Sequence, residues 1–206
     1  MFMLMLAAAC QAQSETMQDQ LLLATTERQS GADDDEVVER NARFVRELVT
    51  AGFGRPLRLI GTATWNEHYL PLFMAGLYIP EGVARNRAAD ELTPRRMELV
   101  WRNRLLAADR IGRWWQQHFR SQFSRNEDWQ RNQPRIEEYV TRLAKASPRH
   151  RWVFEYQPDA GTVLYVNGRK VLHFVGADIN RALWNIWLGE RTSPVFRKNI
   201  TGKLGL

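Results

Sequence analysis

The apolar residues of this chain change their spacing twice, and that switch constrains the fold more than any other feature. From Leu57 to Trp65 the residues Leu57, Leu59, Gly61, Ala63 and Trp65 alternate onto one face, as in a β-strand. Tyr69 to Ile79 is almost continuously apolar and ends at Pro80-Glu81-Gly82, which reads as a buried strand. Met97, Leu99, Trp101 and Asn103 mark a further strand over Met97 to Leu105. The period then becomes three and four: Ile111, Trp114, Trp115, His118, Phe119, Gln122 and Phe123 share a stripe opposite Arg110, Arg113, Gln117 and Arg120. A second helix is expected to begin at Pro134, a favourable first helical position, and to bury Ile136, Tyr139, Val140, Leu143 and Ala144 until Ser147-Pro148.

Period two then returns. Trp152 to Tyr156, a turn at Pro158-Asp159-Ala160-Gly161, and Thr162 to Val166 lead into Asn167-Gly168. That dipeptide supplies the two positive φ angles of a type I′ hairpin turn, so Arg169 to Phe174 is the returning strand. Asp178 is expected to cap a helix over Ile179 to Leu188 that buries Ile179, Leu183, Ile186 and Trp187, and Ser193-Pro194 opens a last short one. Strands joined by short turns, interrupted by helix pairs, imply an α+β domain: an antiparallel sheet covered by helices on one face. Val37 to Val49 carries Val37, Val38, Phe44, Val45, Leu48 and Val49 on a roughly helical stripe, with a β-hairpin as the rival reading.

With 206 residues, the chain suits one domain with an N-terminal extension. Eight Trp and nine Phe supply a core, and no apolar run reaches the ~18–20 residues of a bilayer-spanning helix. A single Cys excludes both an intramolecular disulfide and a Cys-based structural zinc site. His68, His118, His150 and His173 are scattered without metal-ligand spacing, and no P-loop, dinucleotide fingerprint or nucleophile elbow is present. No metal and no cofactor is therefore expected. Glu137-Glu138 point in different directions on a helix and cannot share a substrate.

Charge is uneven. Residues 1–36 hold one Arg and seven acids, a net of −6, whereas the rest hold 28 basic residues against 16 acidic, a net of +12. The basic residues fill no short run, so a solvated surface is the favoured reading over a nucleic-acid site. Trp114-Trp115 sits at helical spacing, which favours core packing over base stacking, and no nucleic-acid partner is expected.

Met1 to Ala9 is apolar, ends in small residues and precedes Cys10. Leu6-Ala7-Ala8-Ala9-Cys10 resembles a bacterial lipobox, in which the thiol would take a diacylglycerol, although Ala7 stands where Leu is usual. An ordinary cleaved signal, or a plain buried thiol, remains the alternative. Residues 1–10 are thus a signal or lipobox-like segment, 11–36 an acidic tether and 37–206 the folded domain.

Three segments in order resemble the chalcone isomerase-like family in its bacterial secreted branch. They are Gly54-Arg55-Pro56-Leu57-Arg58-Leu59-Ile60-Gly61 with Leu72 to Pro80, Gly161-Thr162 with Asn167-Gly168, and Asp178 to Gly189 followed by Ser193-Pro194-Val195-Phe196-Arg197 and Gly202. The resemblance implies an open-faced β-sandwich with a cleft between the large sheet and its helices. In plant chalcone isomerases that cleft cyclises a chalcone with an Arg and hydroxyl-bearing side chains, and in fatty-acid-binding relatives an Arg and a Tyr hold a carboxylate. Here the Arg position falls on Trp65, and two Thr positions fall on Phe73 and Ile186. Loss of such oxyanion stabilisation costs on the order of 10²–10³ in rate for each donor, so no catalytic residue is assigned.

The candidate cleft lining is Trp65, Phe73, Tyr78, Trp101, Ile186 and Trp187, with Cys10 as the lipidation site. The expected protein is a non-catalytic member of the cell envelope or periplasm, held to the membrane by a lipid anchor. It would bind a small apolar or carboxylate ligand or a protein partner of unknown identity. An isomerase or intramolecular lyase with another substrate is the alternative, and an interaction module with a closed core is the third reading.

Overall fold

The computed structural model describes residues 36–39, 42–67, 69–102, 106–146, 148 and 151–202. Cys10, the signal-like segment, the tether up to residue 35, His68, Asn103, Leu105 and His150 lie outside the described residues.

Seven strands form one antiparallel sheet in sequence order: β3 (Glu47–Leu48), β4 (Leu57–Glu67), β5 (Leu70–Pro80), β6 (Arg95–Trp101), β7 (Trp152–Gln157), β8 (Gly161–Val166) and β9 (Arg169–Phe174). Between β6 and β7 the chain leaves the sheet to build helices α1 (Ala108–Gln122) and α2 (Asn126–Lys145). After β9 it adds α3 (Ala177–Leu188) and α4 (Pro194–Ile200). The helices bury their apolar stripes on one face of the sheet, the α+β architecture expected. Residues Asn167 and Gly168 do adopt positive φ, 53° and 73°, at the β8–β9 turn.

The opposite face is partly covered by a hairpin of β1 (Glu36–Glu39) and β2 (Ala42–Val45). Of the two readings open over Val37 to Val49, the structure takes the β-hairpin and not the helical stripe. Within β2, Ala42 and Phe44 are buried while Arg43 is exposed, a period of two. Phe44 fills a niche that exists because residue 76 is glycine: a Cβ there would lie 2.6 Å from the Phe44 ring. Ala42, Phe44 and Met74 form the small second core, with Leu59 and Val100 packed against it.

Three expectations need correction. The face from Leu57 to Trp65 is broken by a register shift between Leu59 and Gly61, so Leu59 joins the back-face core and Ile60 the helix-face core. Helix α2 begins at Asn126 and not at Pro134, because Trp129 extends the buried stripe of Ile136, Tyr139, Val140 and Leu143 by two turns towards the N-terminus. Pro134 then sits exposed in the helix interior, where it removes one i→i−4 hydrogen bond at a cost of about 3 kcal/mol that the buried stripe on either side offsets. Helix α3 starts at Ala177 after Gly176, whose φ is 100°, so Asp178 lies in the first turn and pairs with Arg181 instead of capping. Its expected stripe of Ile179, Leu183, Ile186 and Trp187 is buried.

Glycine sets the position of α4. A Cβ on Gly61 would lie 2.3 Å from the Asn199 carbonyl oxygen and 2.5 Å from that of Ile200, so α4 rests directly on the β4 backbone.

Candidate functional site

The helix-facing side of the sheet is an aromatic surface. Trp65 and Phe73 are cross-strand neighbours on β4 and β5 and stack at 5.8 Å. Phe73 pairs with Trp101 on β6, ring to ring at 5.3 Å. Helix α1 lays Trp114 and His118, one turn apart, over these strands: Trp114 lies 5.6 Å from Trp65 and 5.7 Å from Phe73, and His118 lies 5.3 Å from Trp65. Phe196 of α4 closes the other side of Trp65 at 5.0 Å. Trp65 and His118 are half-buried, and the rest of the group is buried.

Of the six residues the sequence nominates for this cleft, the structure brings Trp65, Phe73 and Trp101 into direct contact. Trp187 stands deeper, against Phe154 at 5.1 Å, and reaches the group through Trp115 at 5.9 Å. Ile186 is buried in the same core without a ring contact to these residues. Tyr78 does not face the helices with the other nominated residues. It shares the back face of β5 with Met74 and Gly76, because Phe73, Ala75, Leu77 and Ile79 take the helix side. There its buried hydroxyl has no hydrogen-bond partner among the described residues, and burial, followed by the nearby Glu98 charge, pushes its pKa up. Trp114, His118 and Phe196 were not nominated. The helical stripe shows Trp114 and His118 to be buried-face residues, but not which strands they meet.

The hydrogen-bonding state of the indoles divides the Trp residues. Trp184 donates Nε1–H to Thr162 Oγ1 at 2.9 Å; that hydroxyl donates to Asn180 Oδ1 at 2.6 Å. Asn180 Nδ2 in turn donates to the carbonyls of Phe174, 3.0 Å, and Gly176, 2.8 Å. This closed chain anchors α3 to β8 and β9. By contrast, the buried Nε1 atoms of Trp101, Trp114, Trp115 and Trp187 find no acceptor among the described residues. All four belong to one connected cluster of rings. A buried donor left without a partner costs about 1–3 kcal/mol, and native proteins leave few of them.

His118 adds an acceptor at the rim. Its Nδ1 lies 2.7 Å from the Trp114 carbonyl oxygen, which can only accept, so Nδ1 carries the proton. In the neutral ring Nε2 then bears the lone pair. Burial holds the His118 pKa below its ordinary value, against smaller opposing effects of the backbone bond and Glu67.

Arg95 is the buried guanidinium on the helix side of β6, at the far end from Trp101. It donates through Nη1 to the carbonyls of Ala88, 2.7 Å, and Asp90, 3.0 Å, and lies 4.7 Å and 4.8 Å from the Tyr156 and Trp184 ring centroids. Burial pulls its pKa down to about 10. These contacts pin the 88–93 segment and keep Arg95 away from Trp65. On the back face, Glu98 accepts from Arg96 at 2.6 Å and pairs with Arg151, and Arg96 also holds Glu155 at 2.8 Å. Burial opposes the Glu98 charge, but the two guanidinium groups keep its pKa below the ordinary value. Among the described residues no three His, Cys, Asp or Glu side chains gather as a metal site requires, and no helix is long and apolar enough to cross a membrane.

Comparison with known proteins gives the same fold. A fatty-acid binding protein of Arabidopsis thaliana superposes with a TM-score of 0.61 at 11% sequence identity, covering 81% of this chain and 95% of that one. No curated protein matches the chain in sequence. The sequence profile of the chalcone isomerase-like family matches residues 42–198. The meander of seven strands, the helical layer over one face and this match together place the chain in the chalcone isomerase-like family.

Proposed function

We propose that the protein is a non-catalytic binder of a small amphiphile, an apolar molecule bearing a hydrogen-bond acceptor such as a carboxylate, and that a lipid on Cys10 holds it at the cell envelope. The observation that carries the binding reading is the set of four buried indole N–H groups without acceptors in one aromatic cluster. A carboxylate or carbonyl oxygen entering between β4–β6 and α1 would satisfy such donors, and the surrounding rings would bury an apolar body. The fatty-acid-binding activity named for the structural relative supports the same class of ligand.

Catalysis is disfavoured by the wall itself. Trp65, Phe73 and Ile186 offer neither a cation nor a hydroxyl to a developing oxyanion, and Arg95 is engaged elsewhere. The test is a titration of the purified protein with decanoate, read by Trp fluorescence and by native mass spectrometry. Saturable quenching with one bound decanoate is expected, weakened in Trp101→Phe and Trp114→Phe. No spectral change and no mass shift would refute the binding reading. Anchoring is tested by metabolic labelling with a fatty-acid analogue, which should mark the wild type and not Cys10→Ser; equal labelling of both would overturn it.

A further inference from the structure

We infer that the tip of the β4–β5 hairpin is a bilayer-contacting surface through which amphiphiles pass between a membrane and the aromatic cleft; this rests on the binding reading above. The tip carries Tyr69, fully exposed, and Leu70, 68% exposed. Tyr69 also has a φ of 67°, in the left-handed region that an aromatic residue rarely adopts and that Gly or Asn occupies more readily. A Tyr held there bears a conformational cost without compensating burial of its ring. Stability of the fold does not explain it, whereas an interfacial Tyr, apolar in body and polar at its end, is favoured at the headgroup level of a bilayer.

The surroundings point to the same occupant. The tip continues the two strands that carry Trp65 and Phe73, so it lies at the outer end of the aromatic cluster. Leu72, half-buried, packs against the main core just beside it. Helix α4 runs along β4 with Phe196 at Trp65 and Ile200 at Gly61, which brings Val195, 69% exposed, to this same end. Arg102, exposed, follows Trp101 there, and its backbone N–H donates to the Leu72 carbonyl at 2.9 Å. The half-buried Glu67 is the acidic residue of the tip, set in a body of net charge +12. Exposed apolar side chains on a basic body fit an anionic lipid surface. Among the described residues the other strongly exposed Leu, Leu92, lies at the opposite end of the sheet, before Arg95.

The experiment uses the full chain with Cys10→Ser, so that no acyl anchor contributes, and vesicles of phosphatidylethanolamine and phosphatidylglycerol in a flotation assay. The parent should float with the vesicles. Adding Tyr69→Asn and Leu70→Ser should weaken partitioning by about tenfold or more, as expected when two apolar side chains leave an interface. Leu92→Ser should leave it unchanged, and the double variant should still quench with decanoate as the parent does. The inference is overturned if the parent does not float, if the double variant floats equally, if Leu92→Ser weakens flotation as much, or if the double variant also loses decanoate. Tip-dependent flotation without decanoate binding by the parent would keep the bilayer surface and remove the amphiphile cleft.

Discussion

His118 lies flat on Trp114, with ring centroids 4.0 Å apart and planes 25° from parallel, and turns Nδ1 to the carbonyl of the same residue. The imidazole is thereby fixed as one tautomer at the edge of an aromatic wall. A protein that protonates this ring has to place a charge where burial already disfavours it.

Stability should therefore fall as the solution is acidified through the His118 range. The folded pKa lies below the ordinary value of about 6.5, so the unfolded chain takes the proton first as pH drops. The contribution is complete above about pH 6.5 and is lost as pH falls towards the folded pKa. Denaturant melts of wild type and His118→Phe at a series of pH values would show it: the wild type should lose more stability across this window. Parallel curves would mean that the ring is not held neutral by its surroundings.

Replacing Gly61 by Ala should displace α4 from the sheet. The new methyl carbon would meet two carbonyl oxygens of the helix end, and backbone cannot swing away as a side chain can. A cost of about 1–3 kcal/mol is expected from overpacking of this kind. Because Phe196 rides on α4, the Trp65 environment should change too, so near-ultraviolet circular dichroism is the second readout. An unaltered melting temperature would contradict the close contact.

Glu98→Gln should destabilise the protein by about 3 kcal/mol, since it leaves Arg96 and Arg151 facing a neutral amide in a buried setting. In the wild type the same carboxylate contributes stability above its ordinary pKa, and that contribution is lost as pH falls through the depressed folded value. Acid unfolding of the variant should accordingly be less steep. A variant as stable as the wild type at neutral pH would show that the network carries little.

No acceleration of chalcone cyclisation above background is expected, and Trp65→Arg alone should not create it. The substitution supplies a cation, but Phe73 and Ile186 still present no hydroxyl to orient a water, and Trp114, Phe196 and His118 still crowd the position. Loss of chalcone absorbance would be followed for both proteins. Saturable turnover by the wild type, abolished on denaturation, would refute the non-catalytic reading.

What was legible in the sequence was local. The Asn167-Gly168 turn needs two positive φ angles, which its own residues supply, and the stripe of α1 repeats often enough to define a helix unaided. What was not legible depended on distant partners. The segment around Phe44 fits a helix or a hairpin on its own, and the niche at Gly76 that seats the Phe44 ring lies far away in sequence. Residues Phe73 to Pro80 are buried on both faces, so apolar character could not assign Tyr78 to a side. Pro134 reads as a helix start until Trp129 is seen to pack before it. The cleft's aromatic wall was half visible for the same reason: β4 and β5 supply their residues in a recognisable segment, whereas Trp114 and Phe196 arrive from elements whose docking only the tertiary structure specifies.

The strand order also bears on how the chain folds. Each strand of the large sheet pairs with its sequence neighbours, so β4–β5–β6 and β7–β8–β9 are two meanders whose internal contacts close short loops. The seam between them, Met97 against Phe154 and Arg96 against Glu155, closes only across the whole α1–α2 excursion. Loop-closure entropy makes that seam the costliest pairing to nucleate, and helices docking on both meanders at once are what compensate for it. The aromatic wall straddles this boundary, through Trp101 against Trp152 at 5.0 Å, so the wall is completed in the same event that joins the halves. Hydrogen exchange during refolding should accordingly protect the β8–β9 turn strands before the β6–β7 seam.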